Sequence, residues 1–319
     1  MALPSFVCLG FQKSGTTTLY ALLKQHPGVE LCRDVKEPMY YRVLGLRAVG
    51  GRRYYEKRYF GHVASDDPRM LGEVNAGLTY TNCAKKVARD LPAGTKFIVM
   101  MRNPVDRCYS AYKYFLARGF LPVHVVRYDL ELGHAAAFDR YVHEVLDDSR
   151  RSKKVMDQRF HYMTFSQNAY ATCIKEYLEH YDQQNFKFIY FEEFIRDQRG
   201  ACQDLYRFLG LEDCPDIDYD LRENVNSERA ASPWAPKRLL LVKIFYYVLY
   251  EFLAMSHWAP GLMERFFGFY DSVRSRSMRP DDDRSKVLPQ TRAYLQEYYG
   301  PEVRELEQIV GRDLHGLWF

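Results

Sequence analysis

The sequence predicts an α/β protein, a single-domain P-loop-like parallel sheet flanked by helices. Three observations predict it. Short apolar runs recur at Phe6–Leu9 and Phe97–Met101, and Phe186–Phe191 reads as a further strand, each the length of a buried parallel strand and each followed by polar residues and a helical pattern. The first run closes on Gly10 and passes into the polar loop Gln12, Lys13, Ser14, Gly15, Thr16, Thr17, Thr18. At 319 residues with 47% hydrophobic content, the chain has enough apolar material for one large core.

The loop leads into Leu19, Leu22 and Leu23, whose i, i+3, i+4 spacing marks the buried stripe of a helix ending near His26-Pro27. The first N–H groups of a helix have no internal partner and carry the positive end of its dipole. An anion at Gly15–Thr18 would therefore satisfy donors that otherwise need water. A nucleotide-triphosphate loop of the Walker type is the competing reading. Gly10 and Gly15 have its separation, but Thr16 and Thr17 stand where its Lys and Ser/Thr belong, and the loop's only lysine is Lys13.

A second motif lies at Lys96–Phe115. Arg102 ends the apolar run, Asn103-Pro104 stops the strand, and a helix follows that carries Arg107, Ser110 and Tyr114. A guanidinium offers a rigid fork of donors to phosphate oxygens, and a helix-borne hydroxyl completes such a cradle. Taken singly, Arg102 reads equally as a strand-end salt bridge and Ser110 as an ordinary helix residue. The two motifs together resemble those of the sulfotransferases that use 3′-phosphoadenosine 5′-phosphosulfate (PAPS), of the carbohydrate (heparan/chondroitin) type. That resemblance implies the sulfotransferase fold and PAPS as donor, with PAP as product. It also implies that the loop Gln12–Thr18 holds the 5′-phosphosulfate, with Lys13 beside the bridging oxygen, and that Arg102 and Ser110 bind the 3′-phosphate.

Between the two motifs, Val29–Leu31 suggests a short strand, and Lys36-Glu37-Pro38 follows with aromatics behind it. Pro38 forces Glu37 into an extended, irregular stretch that can point into a cleft. In the carbohydrate-type relatives a Lys-Glu-Pro segment at this distance carries the general base, which makes Glu37 the candidate base and an acceptor contact. On residue type alone it reads as a solvated surface glutamate. Residues 47–58 are basic and aromatic, fitting either an acceptor rim or a solvated helix face. Glu73 and Asn75 fall where the family has a Gly-Glu acceptor wall, with a satisfied strand-end hydrogen bond as the alternative for each. Val74 stands where heparan-type relatives usually carry a lysine.

Beyond Arg102, the segment about 116–160 is a variable helical insert rich in charge and histidine. His124, His134, His143 and His161 form no metal-spaced pair, and no metal is assigned. Tyr170 stands in a Gly/Ala-x-Tyr-Ala position that the family places near the cofactor, and reads otherwise as an aromatic core anchor. A helix is expected over Cys202–Leu209, stopped by Gly210. In Asn224–Arg229 the resemblance brings Asn226, Ser227 and Arg229 toward the donor, while helix capping accounts for the first two as well. An apolar helical hairpin is expected at about 237–270. Its Leu239–Met255 stretch is short for a membrane span of ~20 residues, and its polar residues line one stripe. It fits a buried or dimer-forming helix, or peripheral membrane contact through 239–270. Gln290–Phe319 matches the closing helix pair of the family.

A net charge of +4 with 41 acidic residues interspersed gives no sign of a nucleic-acid partner. Seven cysteines, odd in number and without CxxC spacing, read as reduced core thiols. With a strand beginning so near Met1, no leader is legible, so the expectation is a cytoplasmic protein, or a Golgi-lumen one if this is an excised catalytic domain. The activity implied is sulfuryl transfer to a hydroxyl or amine of a carbohydrate or small-molecule acceptor. A P-loop kinase or NTPase, or a catalytically inactive glycan- or membrane-binding relative, are the other classes. The acceptor and the oligomeric state are not legible.

Overall fold

The computed structural model describes residues 3–42, 44–80, 82–117, 121, 123–146, 161–220, 229–231, 278–280 and 286–319. Two compact units interleave along the chain: 1–103, 169–225 and 302–318 form the first, and 104–168, 226–301 and 319 the second.

The first unit is built on five parallel strands: β1 (Phe6–Gly10), β2 (Val29–Leu31), β3 (Met70–Val74), β4 (Lys96–Met101) and β5 (Phe186–Tyr190), in the order β2-β3-β1-β4-β5. All five residues of β1 are buried, as a strand covered on both faces requires. On one face, Leu19, Leu22 and Leu23 of α1 (Thr16–Gln25) join Phe6, Cys8, Ile98 and Met100 in a single apolar cluster. The cluster also takes Cys202, Leu205 and Leu209 of a later helix, Gln198–Leu209. That helix starts four residues before the expected Cys202 because Asp197 caps it, accepting from the Gly200 N–H at 2.8 Å. Phe97 packs its ring against Tyr177 and Tyr181, with centroids 5.4 and 4.5 Å away. Gly72 of β3 is there because any side chain would strike a ring: a Cβ at this position would lie 2.0 Å from the Phe6 ring.

The chain moves from β1 by way of α1 to the β2 edge, returns to β3, and crosses to β4. The carboxyl end of β1 therefore lies between β3 and β4 where the connections diverge, the place at which open α/β sheets bind ligands. Residues 44–60 form α2 (Leu44–Tyr55), kinked at Gly51 with φ 55°, followed by a π-turn over Glu56–Phe60. The helix α3 (Cys83–Asp90) precedes β4. Strand β5 stops at Tyr190 and Phe191 already belongs to the helical turn Phe191–Phe194, one residue earlier than the apolar run suggests.

The second unit carries α4 (Pro104–Ala117), α5 (Val123–Leu132) and α6 (His134–Leu146), and a small antiparallel pair, Arg229–Ala231 with Met278–Pro280. Arg107 is wholly buried here, donating to the side-chain oxygen of Asn168 and the Thr164 carbonyl. The closing pair of helices is present as Pro289–Val310 and His315–Trp318. None of the seven cysteines is in a disulfide, and six are buried. Among the described residues no helix is long and apolar enough to cross a membrane, and no group of three His, Cys, Asp or Glu could hold a metal ion. The expected hairpin at 237–270 and residues 147–160 lie outside the described residues.

Candidate active site

At the carboxyl end of β1 the backbone turns sharply into α1. Gly10, Lys13 and Gly15 take positive φ values of 111°, 69° and 90°, a region that side chains resist. At Gly15 a Cβ would also stand 2.9 Å from the Phe191 ring, so the glycine is required by packing as well as by conformation. Gly15 caps α1 without a side-chain hydrogen bond, and the first turn contains no acidic residue. The positive end of the helix is thus left without a carboxylate.

Two buried polar atoms of this loop, Gln12 Oε1 and Ser14 Oγ, have no hydrogen-bond partner among the described residues, and Ser14 is 0% exposed. Buried polar atoms are nearly always paired, so two orphans in one six-residue turn point to a missing ligand or water. An anion bound at the start of α1 fits Ser14, whose O–H can donate to it, while the Gln12 amide oxygen only accepts and calls for a donor such as water. The loop's shape is held from β4: the Phe11 N–H donates to the Met100 carbonyl, and Arg102 Nη1 donates to the Lys13 carbonyl at 3.2 Å. The Arg102 guanidinium also lies over the Phe191 ring, 4.4 Å from its centroid.

Behind Arg102 is a polar brace that the sequence does not reveal. Glu192 accepts from the Asn103 N–H at 2.8 Å with one oxygen and from Trp318 Nε1 at 3.1 Å with the other. Asn103 Nδ2 in turn donates to the Trp318 carbonyl. Tyr170, 1% exposed, donates its hydroxyl to the Arg102 carbonyl at 2.9 Å and lays its ring 4.4 Å from Phe11. Its described contacts make it a support for the loop and for Arg102.

Glu37 lies in the irregular stretch after β2, partly exposed, with its Oε1 3.6 Å from Lys36 Nζ. Lys36 reaches across to the loop and donates to the hydroxyls of Thr16 and Thr17 at 3.1 and 3.0 Å. This lysine was visible only as part of the Lys-Glu-Pro segment, because a contact across twenty residues leaves no local pattern. A cavity of about 650 Å³ borders the segment, lined by Tyr20, Lys24, Arg33, Lys36, His62 and Arg69 among others.

Glu73 and Asn75 are both 0% exposed and turn inward. Glu73 accepts from the Tyr55 hydroxyl and, at 2.7 Å, from Asn75 Nδ2. Asn75 Nδ2 also donates to the Pro38 carbonyl at 2.8 Å, while its Oδ1 accepts from the Gly77 N–H. Burial pushes the Glu73 carboxyl up to about 7, with the bonds from Tyr55 and Asn75 pulling the other way. The two residues form a strand-end hydrogen-bond network, the alternative read for each, and it pins the Lys36–Pro38 segment. Ser110, half-buried on α4, belongs to the second unit. Arg229 begins a strand there, its side chain outside the description, as are Asn226 and Ser227 entirely.

The profile of the sulfotransferase domain family matches residues 3–228. Among curated proteins, the bifunctional heparan sulfate N-deacetylase/N-sulfotransferase 1 of Caenorhabditis elegans is 24% identical over 216 residues, 67% of this chain and 23% of that protein. The heparan sulfate glucosamine 3-O-sulfotransferase 3B1 of Homo sapiens is 24% identical over 218 residues, 66% of this chain and 46% of that one. The chain thus spans less than half the length of either relative. A sulfotransferase of solved structure from Alicyclobacillus acidocaldarius aligns over 99% of both chains with a TM-score of 0.55 at 22% identity, a likeness of fold.

Proposed function

The chain belongs to the sulfotransferase domain family, and from that premise we propose that it moves a sulfuryl group from PAPS to a hydroxyl or amine of a carbohydrate acceptor. The observation that carries the reading is the loop at Gly10–Thr18. It joins a helix start without acidic residues, a buried Ser14 hydroxyl unpaired among the described residues and an ammonium on the Thr16 and Thr17 hydroxyls, with a carboxylate 3.6 Å from that ammonium. Heparan sulfate and carbohydrate acceptors in the names of the relatives support the acceptor class.

PAPS, when bound, supplies a sulfuryl group joined to a phosphate that can leave. In the proposed roles, Gln12, Ser14, Gly15 and Thr16–Thr18 hold the 5′-phosphate side, and Arg102, supported by Tyr170, holds the 3′-phosphate. The parts given to Ser110 and Arg229 rest on sequence resemblance alone. Glu37 takes the proton of the acceptor hydroxyl as its oxygen bonds to sulfur. Lys13 neutralises the charge that builds on the departing phosphate oxygen. Glu73 and Asn75 serve the acceptor side indirectly, by holding Pro38 and so the direction of Glu37. General-base assistance of this kind is worth about 10²–10⁴-fold, and a positioned cation at the leaving oxygen adds to it.

The test is a thermal shift followed by transfer. PAP without magnesium raises the melting temperature and ATP with magnesium does so far less, because stabilisation follows occupancy of a site built for the former. Label from [³⁵S]PAPS then appears on members of a glycan panel. A shift with magnesium–ATP and none with PAP would transfer the site to a kinase or NTPase.

A further inference from the structure

Thr16 stands where a Walker-type loop carries its lysine, yet an ammonium is found there all the same, delivered from elsewhere in the chain. Lys36 Nζ donates to Thr16 Oγ1 at 3.1 Å and to Thr17 Oγ1 at 3.0 Å, and stands 3.6 Å from Glu37 Oε1. Its side chain is 22% exposed, so the charge is largely sheltered. A cation at the amino end of a helix opposes the dipole. Nothing in the first turn of α1 offsets it, because that turn has no acidic residue and its cap is Gly15. A simple brace would be better placed at the other end of the helix.

The surroundings are unbalanced in the same sense. Ser14 Oγ is 0% exposed and has no partner among the described residues, which leaves its O–H to donate to a ligand. Each threonine oxygen that accepts from Lys36 keeps its own O–H to donate elsewhere. Lys36 thereby orients two hydroxyls as donors while adding a positive charge of its own.

We infer that Lys36 is a further donor-binding residue, contacting the 5′-phosphate side of PAPS together with Thr16 and Thr17; this rests on the sulfotransferase reading above. Lys36 and Glu37 are consecutive residues on a segment fastened by the Pro38 carbonyl to Asn75. Donor contact at Lys36 and proton removal at Glu37 therefore share one piece of backbone, and engagement of the first sets the position of the second.

The test is calorimetric titration of the full chain and its Lys36→Met and Lys36→Arg variants with PAP and with 3′-AMP, which lacks the 5′-phosphate. Lys36→Met is expected to weaken PAP at least tenfold and 3′-AMP less than twofold, and Lys36→Arg to recover most of the loss. The melting temperature of unliganded Lys36→Met should equal or exceed that of the wild type, since a cation has left the positive end of α1. PAP affinity within twofold of wild type in Lys36→Met would overturn the inference, most directly if the unliganded protein melted lower, which marks a brace. Equal losses for PAP and 3′-AMP would overturn it too, as would a raised acceptor KM with unchanged PAP affinity, which marks an acceptor contact. Those results leave the sulfotransferase reading standing where the wild type binds PAP. A wild type that does not bind PAP removes that reading and this inference together.

Discussion

The loop after β1 and the carboxyl end of β3 lie in adjacent strands, both are polar, and they are finished in opposite ways. Around Glu73 the partners close on each other: Tyr55 and Asn75 donate to the carboxylate, and Asn75 also serves Pro38 and Gly77. Around Ser14 they do not close, for Gln12 Oε1 and Ser14 Oγ are orphaned and the sheltered ammonium of Lys36 faces a helix start without an acid. Buried polarity that satisfies itself fits a scaffold, whereas an unpaired buried hydroxyl beside a sheltered ammonium leaves room for a ligand or water. In the proposed function the first strand end carries the chemistry and the second positions it.

The largest effect expected on the open side is at Glu37. Glu37→Gln should lower turnover by about 10²–10⁴-fold while PAP affinity, read by calorimetry, stays within experimental error. Turnover within a few-fold of wild type would deny Glu37 the role of base. On the closed side the sharpest measure is pH. Because Glu73 is raised to about 7 by burial, the folded protein holds a proton that the unfolded chain has released above the ordinary carboxylate range. Stability is therefore fully present below that range, falls as pH rises toward 7, and is level beyond. Glu73→Gln should remove this slope, which amounts to roughly 2–4 kcal/mol across the window. Urea unfolding at pH 4.5 and 8 checks it, and parallel curves for wild type and variant would mean that Glu73 is ionised in its pocket.

Arg102→Ala comes next, with an expected loss of about 1.5–3 kcal/mol in PAP binding and a smaller change in turnover at saturating donor. Equal affinity of the two proteins for PAP would remove Arg102 from the donor site. Gly15→Ala is smallest, since the strain of φ 90° and a 2.9 Å approach to Phe191 is worth ~1–3 kcal/mol and the ring can shift in part. Reduced stability with weakened PAP binding is the expected result. A variant as stable as wild type would show that the turn does not need a glycine.

Strands β1 and β4 and the helix after the loop were legible because unbroken apolar runs and the Leu19, Leu22, Leu23 stripe are local patterns, and a parallel sheet was expected from them. The loop was legible for the same reason. Lys36 as a partner of the loop was not, because its contact to Thr16 is made through space. The part of Glu192 was not legible either, since its bonds to Asn103 and Trp318 join residues far apart in the chain. Glu73 was left between an acceptor wall and a satisfied strand-end hydrogen bond, and only its through-space bonds to Tyr55 and Asn75 show the second. A glutamate in a short strand carries no mark of which way it faces until its neighbours are known.

Cys8 has a use that its chemistry alone would not suggest. It sits in β1 two residues before the loop, wholly buried, with its thiol pushed up to about 11 by that burial. A thiol so protected reacts with an alkylating reagent only during the moments when the strand is uncovered. Its rate of modification is therefore a clock, internal to the molecule, that counts openings of the strand carrying the loop. Occupation of the loop should slow that clock in proportion to how tightly the ligand holds the strand shut.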